Sequence, residues 1–74
     1  MAPREKLKSL RKKANLKQRE IANELRVTIG TVSNWELGIS LPTLSPRQTW
    51  LLCELLHCSL EELIDAVEEK VEEK

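Results

Sequence analysis

Glycine and proline are scarce in this 74-residue chain, which has two Gly and three Pro. β-Branched residues are sparse as well, so the composition argues against a sheet-rich fold and for helices. No apolar run is long enough to span a bilayer. The first residues, MAPREKLKSLRKK, lack the apolar core of a signal peptide, so a cytoplasmic chain with no membrane partner is expected. Cysteine occurs only as Cys53 and Cys58. A disulfide framework is not expected in a reducing compartment, and two thiols so close together at one helix end are poorly placed to pair. Cys53, His57 and Cys58 would supply three metal ligands, but no fourth follows at a recognisable spacing, so core packing is favoured and no metal is expected. There is no paired acid and base, no nucleophile with a base partner and no phosphate-cradling glycine loop. Neither catalytic residues nor a cofactor are therefore expected.

What the chain does have is the segment Gln18–Leu37, QREIANELRVTIGTVSNWEL. Ile21, Ala22 and Leu25 lie on one face of a first short helix, and Val32 and Trp35 face inward from a second. Val27 plugs the corner between them. Ala22 is small, as close approach of two crossing helices requires. Thr28 stands where a hydroxyl can cap the second helix, and Gly38 where a left-handed residue can end it. The net charge of zero hides an asymmetry. Residues 1–37 hold nine Lys/Arg against four Asp/Glu, and residues 38–74 hold three against eight. The basic half contains the two-helix unit, as counterion release on phosphates requires.

With Gln18 opening it, Thr28 at the corner and Trp35-Glu36-Leu37-Gly38 closing it, this segment resembles the helix-turn-helix domain of phage Cro and repressor proteins and of bacterial XRE-like regulators. The resemblance runs from about Leu7 to Ile64. It takes in Leu10 and Arg11 upstream, Pro42 in the loop that follows, and Leu60-Glu61-Glu62-Leu63 downstream. It implies an all-α, five-helix, phage-repressor-like DNA-binding domain with the helix-turn-helix in helices 2 and 3. One domain is expected over 1–74, with a core of about 4–67 and an acidic C-terminal helix extension over 68–74.

Helix 1 is expected from Pro3 or Arg4 to Ala14, with Leu7, Leu10 and Ala14 inward and Leu16 closing the corner. Helix 2 is expected over Gln18–Leu25, helix 3 over Ile29–Leu37, and a loop over Gly38–Leu44. Ser45, Pro46 and Gln48 form a start signal for helix 4, whose apolar surface is Trp50, Leu51, Cys53, Leu55 and Leu56. Ser59 and Glu62 repeat the signal for helix 5, with Leu60, Leu63, Ile64 and Val67 inward. The pattern departs from the family at Lys17, which replaces a Ser or Thr cap, and at Arg26, where glycine is common. The loop before helix 4 is also about two residues longer than usual and lacks the Lys/Arg that some relatives carry there.

If helix 3 enters a major groove, its outward residues Ile29, Gly30, Ser33 and Asn34 face base edges. Asn34 suits adenine, Ile29 a thymine methyl, and Gly30 a close approach. That surface is chemically thin, so DNA shape is expected to carry part of the specificity. Phosphate contacts are expected from Lys17, Gln18, Arg19, Thr31 and Lys13, Gln18 by its match to the family glutamine. The resemblance also implies an ion pair between Arg11 and Glu36, tying helix 1 to the end of helix 3.

Two functions follow. One is a sequence-specific regulator that binds double-stranded DNA as a homodimer and acts by operator occupancy. The other is a protein-interaction or antitoxin-type module on the same scaffold, binding through the acidic helix 4–helix 5 half. Glu20, Asn23 and Glu24 on helix 2 leave contact with RNA polymerase open. Val67 and Val71 extend the apolar line of helix 5 between Glu68, Glu69, Glu72 and Glu73, which makes the C-terminal helix the expected dimer contact.

Overall fold

The computed structural model describes residues 4–68, which form five helices and no strand. These are α1 (Glu5–Lys13), α2 (Gln18–Leu25), α3 (Ile29–Leu37), α4 (Pro46–Leu56) and α5 (Leu60–Glu68). Pro3, Val71 and the acidic end from Glu69 onward lie outside the described residues, and with them the tail expected as a dimer contact.

Three helix starts follow from local capping. Thr28 Oγ1 accepts the Thr31 N–H at 3.1 Å. Ser45 Oγ accepts the Gln48 N–H at 3.1 Å while Gln48 Oε1 accepts the Ser45 N–H at 2.9 Å. Ser59 and Glu62 exchange the same two bonds at 3.1 and 2.8 Å. At α2, Glu20 Oε1 accepts the Lys17 N–H at 2.8 Å. The Lys17 ammonium has no lone pair to return the bond, so this start is half-capped. Helix ends use left-handed residues: Arg26 after α2 (φ 62°), Gly38 after α3 (φ 79°) and His57 after α4 (φ 54°). Arg26 and His57 carry a Cβ into that region, at a cost of roughly 1–2 kcal/mol each.

All five helices contribute to one core: Leu7, Ile21, Ala22, Leu25, Val32, Trp35, Leu52, Leu56, Leu63 and Ala66 are buried. Leu16 and Val27 pack against it from the two corners. α2 packs on α3 and α4, and α1 on α5, α3 and α4. Exposed Lys6 and Asp65 join α1 to α5 at 2.6 Å.

The rotation of α4 differs from expectation. Trp50 is 57% exposed, while Leu52 and Leu56 are buried. Gln48 Nε2 donates to the Leu25 carbonyl at 2.9 Å, which turns the 48–52–56 stripe toward α2 and Trp50 outward. α5 differs in the same way. Leu63 and Ala66 are buried, Val67 is half-buried, and Leu60 and Ile64 face outward. The small Ala66 lets α5 lie close to α1 and so sets its inner edge.

Cys53 and Cys58 are free and half-buried. The turn at His57 sends the Cys58 N–H to the Cys53 carbonyl at 3.1 Å. Burial pushes the Cys58 thiol up to about 11, with Cys53 and Glu62 adding to the effect. Burial also raises Cys53. Among the described residues, no group of three His, Cys, Asp or Glu is placed to hold a metal ion.

Candidate nucleic-acid interface

α3 buries Val32, Trp35 and Glu36 and turns its other side to solvent. Gly30, Asn34 and Leu37 lie at i, i+4 and i+7 along the outward stripe and are all exposed. Ile29 begins the helix at 48% exposure, so its side chain is not absorbed by the core. Ser33 is half-buried at the edge of the stripe. Leu37 was expected only as the helix end, but the period of the helix adds it to the outward face. A Cβ built on Gly30 would meet only Thr28 Oγ1, at 3.8 Å, so packing within the chain does not require glycine there.

Glu36 is the buried charged residue among the described residues, 5% exposed. Its carboxylate accepts from Arg11 Nε at 2.6 Å and from Arg11 Nη2 at 3.1 Å. Arg11 Nη1 donates to the Leu16 carbonyl at 2.9 Å. One guanidinium thus joins α1, the corner before α2, and the end of α3, through a two-bond fork that a lysine cannot make. Gln18 Nε2 donates to Glu36 Oε1 at 3.0 Å. The glutamine expected at a phosphate is therefore oriented by the buried carboxylate, with its second amide N–H left over. Lys17 and Arg19, on either side of it, are exposed.

Thr31 is half-buried, with its hydroxyl 2.9 Å from that of Thr28 at the α3 N-terminus. Lys13 stands apart from the other expected phosphate residues. It borders clefts with Leu56, His57 and Glu62, toward α4 and α5. Two positions after Arg11 is about 200° around a helix, so α1 cannot present both residues to one side.

Arg4 is the residue that sequence reasoning missed. Its Nη1 donates to the carbonyls of Trp35 at 2.6 Å and Ser40 at 2.9 Å, and its Nε to that of Val67 at 2.8 Å. Its backbone N–H reaches the Glu36 carbonyl at 2.7 Å. A cation at the C-terminus of α3 complements the helix dipole there. No side-chain pattern announces such contacts, because every partner is a backbone carbonyl.

Two short helices packed together with a small residue buried on the first, and a capped second helix whose outer side faces solvent, make the helix-turn-helix arrangement. The family model described as Helix-turn-helix matches residues 7–63. The chain belongs to the XRE/Cro-type helix-turn-helix family. It is thus a DNA-binding regulator in general kind, and DNA is its partner. No curated protein and no solved structure matches it. Within this helix-turn-helix, α2 packs against α3, and the outer side of α3 faces solvent. No helix among the described residues is long and apolar enough to cross a membrane.

Proposed function

We propose that the chain is a sequence-specific transcriptional regulator that binds a two-fold operator in double-stranded DNA as a homodimer, in the cytoplasm, and acts by occupancy. The observation that carries this reading is the free outer side of α3, held in place by the Arg11–Glu36–Gln18 network. Asn34 reads base edges, Ile29 packs on a thymine methyl, Gly30 lets the backbone approach, and Ser33 touches the edge of the reading surface. Lys17, Arg19 and the remaining N–H of Gln18 meet phosphates at the α2 N-terminus, and Thr31 does so at the α3 N-terminus. One recognition helix covers about four to six base pairs. A two-fold dimer doubles that reach, with half-sites roughly 34 Å apart.

Selection of bound sequences from random duplex DNA at two salt concentrations tests the reading. A two-fold motif should emerge, with affinity falling steeply as salt rises. No enrichment at either concentration would sink the proposal.

The second reading, a protein-interaction or antitoxin-type module, draws support from exposed Trp50, Leu60 and Ile64 on the acidic side. On α2, Glu24 and Asn23 are exposed, whereas the Glu20 carboxylate is engaged with the Lys17 N–H. A contact with RNA polymerase on this helix therefore falls to Glu24 and Asn23.

A further inference from the structure

We propose that the outer face of α4 is self-complementary and receives a second copy of this chain, the two α4 helices running antiparallel about a two-fold axis between Trp50 and Leu51. This rests on the dimer reading above and gives that dimer its contact. Trp50 is 57% exposed at the middle of α4. Arg47, three residues before it, and Glu54, four residues after it, flank it on the same outward stripe and are also exposed. Neither side chain makes an ion pair among the described residues. Beside the stripe runs a groove of about 590 Å³, lined by Leu44, Thr49, Cys53 and Leu60, with Trp50 at its edge. An exposed indole next to an apolar groove, bordered by charge, is the anatomy of an interface anchor and its rim.

The charges select the occupant. A partner of one sign would be attracted by one end of the stripe and repelled by the other. A parallel copy would set Arg47 against Arg47 and Glu54 against Glu54. Only an antiparallel copy places Arg47 opposite the second copy's Glu54 twice, once on each side of the axis, as a closed two-fold contact demands. Rim pairs of this kind add little affinity, but they fix register and reject wrong arrangements. Each indole then covers the second copy's groove, and Leu60, turned outward by the rotation of α5, adds apolar surface there.

Sedimentation equilibrium on the full chain, with reductant present, tests the contact, and circular dichroism verifies that each variant is folded. Arg47→Glu and Glu54→Arg should each weaken self-association about tenfold or more, because each sets like charges face to face. The double variant should recover the wild-type constant, and an equimolar mixture of the two single variants should associate more tightly than either alone. Trp50→Ala should weaken association about tenfold or more. Single and double variants that associate like the wild type would overturn the proposal, as would a double variant no better than the singles. A wild-type chain that stays monomeric leaves this face to a protein of another kind and also overturns it. The DNA reading stands or falls separately. A chain that selects a motif while the α4 variants leave its mass unchanged rejects this contact alone. A chain that dimerises through α4 but enriches no motif rejects the DNA reading alone.

Discussion

Arg4 Nε donates a 2.8 Å hydrogen bond to the carbonyl of Val67, 63 positions along the chain. The same guanidinium holds the Trp35 and Ser40 carbonyls, so the start of the described chain ties the end of α3 to the end of α5. These are charge-assisted bonds in a half-buried setting. Arg4→Met should lower stability by about 2 kcal/mol in urea titration. Lysine lacks the fork, so Arg4→Lys should recover only part of that loss. Wild-type stability in Arg4→Met would show the three bonds to be idle.

Arg11→Met should be more damaging than Lys12→Met. Removing Arg11 strands the Glu36 carboxylate at 5% exposure and frees the Leu16 carbonyl. The loss should be about 3 kcal/mol, whereas exposed Lys12 should change stability by less than about 0.5 kcal/mol. Equal melting temperatures for the two variants would reject the assignment.

Gly30→Ala should separate folding from binding. The new methyl has room, with Thr28 Oγ1 at 3.8 Å, and alanine favours a helix interior by about 1 kcal/mol. The variant should melt higher yet bind its DNA more weakly, since the methyl stands on the outward stripe. Undiminished affinity would place the DNA elsewhere.

Base readers and phosphate holders should give different signatures. Asn34→Ala should change the selected sequence. Lys17→Ala should weaken all duplexes alike and reduce the salt slope by about one unit. An unchanged motif in Asn34→Ala would remove α3 from base readout.

The Cys58 thiol, raised by burial from its ordinary 9.0 to about 11, gives a pH prediction. The folded chain holds that proton more tightly than the unfolded chain does. Stability from this group is therefore complete below pH 9.0 and is lost as pH rises toward about 11. Cys58→Ala should flatten that alkaline decline. At pH 8, iodoacetamide should alkylate native Cys58 roughly a hundredfold more slowly than the urea-unfolded chain, because the thiolate is the nucleophile.

The helix boundaries were legible because their signals are local. Thr28, Ser45 and Ser59 each cap within three residues, and the Ile21–Ala22–Leu25 and Val32–Trp35 faces are set by helix period. Rotation was not legible where apolar residues crowd a helix. In α4, Trp50, Leu51, Leu52, Cys53, Leu55 and Leu56 cover most of the circumference, and the Gln48 bond to Leu25 decides which side goes in. In the candidate site, the family match singles out Gln18 but gives no sign of its tie to Glu36. Lys13 was grouped with residues from which the turn of α1 separates it, and Arg4 answers only to backbone carbonyls.

The link between α3 and α4 is clamped at both ends. Arg4 and Asn34 fix it at Ser40 and Ile39, and Leu44 on the core with Gln48 on Leu25 fix it at the far side. Between the clamps, Leu41 and Thr43 are exposed. The two anchor points, not the length of the stretch between them, hold the helices in register. Residues 41–43 are therefore the natural port for grafting foreign sequence, such as an epitope or a reporter peptide, because the entropy of a longer loop rises only slowly with its length.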